Sequence, residues 1–261
     1  MTVVLHEHPL SPYAQKVKIA LREKGVAFET RQPNVGAGTG MDAFVPINPR
    51  LEVPALEDGA ARIFDSTIIL EYVEDKFPSP PLLPSEPAAR ARARMIEDVC
   101  DTYYEAINWA IAEILVFGRA TGTLAEQLLG RARDQTAGAN RWLAQQLGER
   151  EWLGGERFGW ADLSAAPHVN AAANFGNAPE PGSPLAAWLE RVRARPSVAA
   201  TFGEAMAALG GFADLPKLVA SGQFRREYRD HRLEWMIRSG GIDVVLDGLA
   251  KNTIRFSREL G

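Results

Sequence analysis

Apolar positions recur along this chain with spacings that change from strand-like to helical, and those changes divide it. Val3, Val4 and Leu5 form a short apolar run before the turn-like Pro9-Leu10-Ser11-Pro12, which predicts a strand and a loop. Over 12–24, Ala14, Val17, Ala20 and Leu21 recur at helical spacing, Lys16, Lys18 and Arg22 fall outside that stripe, and Gly25 stops the helix. Residues 26–30 alternate as a second strand. Pro33, Gly36, Gly38 and Gly40 predict an irregular loop over 33–40. Residues 51–57 and 60–64 flank Asp58-Gly59, a strong hairpin signal. A helix from Ser66 then turns Ile68, Ile69, Tyr72, Val73 and Phe77 to one face. The order β-α-β-loop-β-β-α lets the second strand pair in parallel with the first, while the last two form an antiparallel hairpin.

Prolines at 78, 80, 81, 84 and 87 make a stiff linker. After it the spacing is helical, with long segments over 88–118 and 123–148 and shorter ones over 160–175, 184–194 and 197–209. The last stretch is distinct. Phe224, Tyr228, Leu233, Trp235, Met236 and Ile237 are interleaved with charge, and 242–249 follows Gly240-Gly241. The predicted organisation is 1–78, a linker over 79–87, an all-helical unit over 88–215, and a helical extension over 216–261 that packs on the helical body.

Composition narrows the function classes. With 46% apolar and 24% charged residues the chain reads as an ordinary folded globule. A net charge of −4 argues against nucleic-acid or membrane-surface partners. The basic clusters near 90–94 and 225–238 read as solvated helix faces. No run approaches the ~18 apolar residues of a membrane span, and the start lacks the basic region of a signal peptide. Cys100 is the lone cysteine, which fits a reducing cytoplasm. The four histidines lack metal-ligand spacing, so no metal is expected.

Three local signatures in order then point to a family. Ser11-Pro12-Tyr13-Ala14-Gln15-Lys16-Val17 directly follows the first strand. Asn48-Pro49-Arg50-Leu51-Glu52-Val53-Pro54-Ala55-Leu56 comes next, and then Asp65-Ser66-Thr67-Ile68-Ile69-Leu70-Glu71-Tyr72. A weaker fourth is Gly159-Trp160-Ala161-Asp162. Together, over roughly residues 1–210, the chain resembles the cytosolic glutathione S-transferases, with a serine-type start like that of tau-class and related bacterial enzymes. The resemblance implies an α/β thioredoxin-like domain followed by an all-α helical bundle, glutathione as co-substrate, and a homodimer.

The resemblance also implies roles. Glutathione's thiol is only a few per cent ionised at neutral pH. Lowering its pKa by about two units needs roughly 2.7 kcal/mol. A hydroxyl at a helix N-terminus can supply that, through about 0.5–2 kcal/mol from the helix end and about 1.5–3 kcal/mol from a charge-assisted hydrogen bond. Ser11 is the catalytic candidate, and the plain alternative is an N-cap ahead of Pro12. A cis Val53–Pro54 bond would present main-chain groups to the ligand. Asp65 and Ser66 would grip the γ-glutamyl end, or simply cap a helix. Arg50, Arg31, Gln32 and Asn34 are candidates for the glycine carboxylate. Asp101, ahead of Asp98, would cross the dimer interface to the partner's ligand. An apolar electrophile would lie against Tyr13, Tyr104, Ile107 and Ile111.

Three departures from the family pattern stand out: Asp65 where glutamate is usual, no Lys or Arg over 33–47, and Gly159 in place of Ser or Thr. The expected activity is glutathione transfer, with ether cleavage or dehalogenation as variants. The alternative is a catalytically weak transferase-like binding or regulatory protein.

Overall fold

The computed structural model describes residues 2–33, 43–212 and 215–256. Most of the predicted glycine-rich loop, including Asn34, lies outside them. Strand β1 (Val3–His6) pairs in parallel with β2 (Phe28–Arg31) through α1 (Pro12–Glu23). On its other edge β1 pairs antiparallel with β3 (Ala55–Asp58), which turns back into β4 (Ala61–Phe64). The strand order is therefore β2-β1-β3-β4. Asp58 opposes Ala61 at the predicted hairpin, and Gly59 takes φ 64°, a conformation that favours glycine. Helix α2 (Ser66–Lys76) follows and packs against α1. This is the thioredoxin-like half.

The second half is almost entirely helical. Helix α3 (Pro87–Val99) runs through one π-helical turn (Cys100–Tyr104) into α4 (Glu105–Leu115). Then come α5 (Gly122–Leu147), α6 (Trp160–Asn174), α7 (Pro184–Ala194), α8 (Pro196–Ala208) and α9 (Leu215–Ala220). The extension holds α10 (Asp230–Arg238) and α11 (Ile242–Ala250), bracketed by two short parallel strands, β5 (Arg226–Glu227) and β6 (Ile254–Arg255). The predicted helix over the start of the extension begins only at Asp230, because Arg226 and Glu227 pair with β6 instead. No helix among the described residues is long and apolar enough to cross a membrane.

One apolar core joins the two halves. Leu5, Val17, Leu56 and Ile69 belong to the same buried cluster as Ile96, Trp160, Leu163 and Trp188. Helix α1 lies between them, touching α2 on one side and α6 and α8 on the other. That placement overturns one sequence expectation: Lys16 and Lys18, read as outside the apolar stripe, are fully buried. The start of α6 explains Gly159. A Cβ there would lie 2.5 Å from the Leu82 carbonyl oxygen, which accepts the Trp160 N–H at 2.8 Å. A Ser or Thr cap would collide with the linker.

Candidate functional site

A cavity of about 300 Å³ opens where the thioredoxin-like half, the α3–α4 turn and the extension meet. That is the small end of the range for small-molecule sites. The first half contributes the turn before β3 and the start of α2. Val53–Pro54 is cis, and both residues lie on the wall. The Val53 main-chain N–H and C=O make no hydrogen bond within the described residues. They form an open edge to which an extended peptide could add.

The start of α2 differs from the expected arrangement. Asp65, at φ 74°, is the N-cap, and its Oδ1 accepts from Thr67 N at 3.0 Å and Ile68 N at 3.4 Å. Ser66 is the first helical residue and lies on the cavity wall at 5% exposure. The acid thus holds its own helix, and the serine faces the space.

Beneath the cavity floor Lys16 organises a buried charge network. Its Nζ donates to Glu97 Oε1 at 2.6 Å and to Asp101 Oδ2. Glu97 also accepts from Thr67 Oγ1 at 2.9 Å and from Trp160 Nε1 at 2.5 Å. Burial disfavours the Lys16 charge, but Asp101 and Glu97 outweigh it and raise the pKa. Burial likewise pushes the Asp101 carboxyl up, and Lys16 and His168 bring it below its ordinary value. Asp101 is therefore neutralised within its own chain. Asp98, exposed on the same wall, has no partner for its carboxylate among the described residues.

Ser11 is the N-cap of α1, and its Oγ accepts from Ala14 N at 3.3 Å. Capping uses a lone pair and leaves the O–H to donate. Ser11 does not line the cavity; Tyr13 does. The Tyr13 hydroxyl donates to the Asp101 carbonyl at 2.7 Å and lies 3.5 Å from His231 Nε2. Burial, helped by nearby Glu105, pushes its pKa well above the ordinary value, so it stays protonated.

Apart from Tyr13, the residues expected to form the apolar wall are core instead. Tyr104 is fully buried, and its hydroxyl donates to Asn140 Oδ1 at 2.7 Å. Ile107 and Ile111 lie under 2% exposed in a cluster with Tyr228, Trp235 and Met236 of the extension. Trp109 and Tyr228 pack edge to face, with ring centroids 4.6 Å apart. The reason is physical: α4 carries an apolar face, and α10 and α11 bury it. Arg50 is also displaced from its expected role, since it pairs with Glu52 at 3.1 Å and does not line the cavity.

Among the lining residues that escaped the sequence reading are Arg229, Asp230 and His231, which complete the wall from the extension. Their signal was the charge interleaved with aromatics there. The segment is tied down by Arg232, which donates to Glu105 Oε1 at 2.5 Å, and by His231 Nε2, 2.9 Å from Glu105 Oε2. Arg226 pairs with buried Glu113, which also accepts from the Tyr228 hydroxyl at 3.3 Å.

The strand before this segment carries a titrating contact. Burial and a hydrogen bond with Glu52 push the Glu227 carboxyl up to about 7, against the pull of Arg255 at 2.8 Å. A carboxyl whose pKa is higher folded than unfolded adds stability below the unfolded value. That stability is lost as pH rises through the folded one. Thermal unfolding of the full chain should therefore show Glu227→Gln with a flatter melting temperature between about pH 5 and 8, and a higher one than the wild type at pH 8.

Among the described residues no group of three or more His, Cys, Asp or Glu side chains is placed to hold a metal ion. Cys100 is buried, and burial pushes its thiol pKa well up. It does not line the cavity.

Comparison with known proteins agrees with this geometry. The model of the glutathione S-transferase N-terminal domain matches residues 5–81, and that of the C-terminal domain matches residues 89–191. Glutathione S-transferase U28 of Arabidopsis thaliana is 30% identical over 209 residues, 77% of this chain and 89% of that one. A stringent starvation protein A homolog of Haemophilus influenzae is 32% identical over 200 residues, 74% of this chain and 86% of that one. The solved structure of FzlA from C. crescentus is 27% identical, covers 78% of this chain and 92% of that one, and superposes with a TM-score of 0.68. With both halves matched in order and its thioredoxin-like sheet and helical bundle in place, this chain belongs to the glutathione S-transferase family.

Proposed function

We propose that this protein is a glutathione-binding, catalytically weak member of its family that acts as a binding or regulatory protein. The observation that carries this reading is the burial of Ile107, Ile111 and Trp109 beneath the chain's own α10 and α11. The face of α4 on which an apolar electrophile was expected to sit is filled. What stays open is a small polar cavity with features suited to a zwitterionic thiol tripeptide. The Val53 edge takes the extended peptide, Ser66 at the α2 start takes a carboxylate, and Asp98 takes an ammonium. Two relatives, the stringent starvation protein A homolog and FzlA, carry names that do not describe transferases, which favours the same reading. A homodimer would use the face of α2 and α3 that exposes Ile68 (56%) and Met95 (60%).

Transferase activity remains the second reading, on the strength of the Ser11 O–H at the α1 N-terminus. Calorimetry and turnover decide between them. The expected result is glutathione binding, with heat at millimolar ligand, and negligible turnover of small chromogenic electrophiles. Ser11→Ala should cost about 1 kcal/mol of stability through the lost cap and leave glutathione affinity and the bound thiol's pH profile unchanged. Rapid turnover that Ser11→Ala abolishes would overturn the regulatory reading.

A further inference from the structure

The cavity has a basic group that belongs to the extension, and its surroundings leave it free to work. The basic side chains on its wall are Arg94, Arg229 and His231. Arg94 is committed to Glu71, with Nε at 2.7 Å and Nη2 at 2.6 Å. His231 is held between Glu105 at 2.9 Å and Asp230 at 3.0 Å. Among the described residues Arg229 makes one ion pair, to Glu52 at 3.5 Å, longer than a hydrogen bond. A guanidinium carries five donors, so most of Arg229's are unspent. Three residues on, Arg232 is clamped on Glu105 and bonded to the Glu227 carbonyl at 3.2 Å. The segment is thus pinned by one arginine and offers the other to the cavity.

We infer that Arg229 is a ligand-binding residue of this site, supplied by the extension, and that it recognises a free carboxylate on the bound thiol peptide. This rests on the glutathione-binding reading above and names the group that reading leaves without a partner. Among the described residues the wall then offers one loosely held guanidinium, Arg229, and one carboxylate without a partner, Asp98, on different elements. A ligand with an ammonium at one end and a carboxylate at the other satisfies both. Arg50 does not line the wall, and it holds Glu52 more closely, at 3.1 Å. Glu52, which touches both arginines at 3.1 and 3.5 Å, would keep Arg229 aimed before the ligand arrives.

The test is calorimetric, with the full chain and two probes: glutathione and its glycyl monoethyl ester, which lacks that carboxylate. The wild type should bind the acid about tenfold to a hundredfold more tightly than the ester, the span of a charge-assisted hydrogen bond. Arg229→Ala should lose that preference by weakening the acid alone, and Arg229→Lys should keep part of it. Melting temperatures should match the wild type, since among the described residues the Arg229 side chain makes only the loose pair with Glu52. If the wild type binds acid and ester alike, or Arg229→Ala keeps the preference, the role of Arg229 is overturned and glutathione binding survives. If the wild type binds neither probe, both readings fall.

Discussion

Asp162→Ala is expected to destabilise the protein by about 3–5 kcal/mol, the cost of breaking a buried, fully bonded charge, and to lower its melting temperature by roughly 10 °C. The side chain is completely buried at the start of α6. Its Oδ1 accepts from Leu153 N at 2.7 Å and Trp188 Nε1 at 2.8 Å, and its Oδ2 from Gly154 N at 3.0 Å and Gly159 N at 3.1 Å. Alanine would orphan four buried donors, each worth about 1–3 kcal/mol when unsatisfied, with partial relaxation of the total. Asp162→Asn keeps one acceptor but turns an amide against donors, so it should fall between wild type and alanine. Burial pushes the Asp162 carboxyl up to about 6 although the four donors pull it down. The group's contribution is therefore complete below about pH 4 and declines as pH rises through 6. Chemical denaturation at pH 5 and pH 8 should show that slope in the wild type and a shallower one in Asp162→Asn, where Glu227 still titrates. A loss under 1 kcal/mol in the alanine variant would mean that the four donors find other partners.

Asp162 was legible from the sequence because one of its four bonds is local: the carboxyl reaches back three residues to the Gly159 N–H. The same holds for the Asp58-Gly59 hairpin and for Ser11 ahead of Pro12. These elements are decided within a few residues, where spacing is informative. Lys16 was misread for the complementary reason. Its position outside the α1 stripe is correct as helix geometry, but Glu97 and Asp101 approach that face from residues more than 80 positions away. No local rule anticipates that a second layer supplies acids to a lysine. The electrophile wall failed in the same way. Ile107 and Ile111 do form an apolar face, and only the distant pairing of α10 and α11 with α4 decides that it becomes core. Asp65 shows a finer limit: sequence marks Asp65-Ser66 as a helix start, while the φ of 74° at Asp65 settles which of the two caps it.

Arg232→Ala should be the most damaging single change in the extension, at about 3–5 kcal/mol, because it leaves Glu105 buried with its main counter-charge gone. Burial raises the Glu105 carboxyl's pKa, and Arg232 with His231 overcomes this and brings it down to about 2. In the wild type this contribution is complete above the unfolded value near 4.5 and is lost as pH falls through 2. Without the guanidinium the balance reverses: burial dominates, the folded carboxyl binds its proton more tightly than the unfolded one, and acid helps the variant. The stability deficit should therefore be largest near pH 8 and shrink as pH falls toward 5, whereas a defect of packing alone would not change with pH. Arg232→Lys keeps the charge but loses the fork that reaches both carboxylate oxygens, so it should recover part of the deficit at every pH. Hydrogen exchange would show where the loss falls. Amides of α10 should open first, since α10 sits on α4 through this contact, while β1 and β3 keep their protection. A deficit that stays constant from pH 5 to 8 would assign the role of Arg232 to its stacking on Trp109, 5.3 Å from the ring centroid, rather than to its charge.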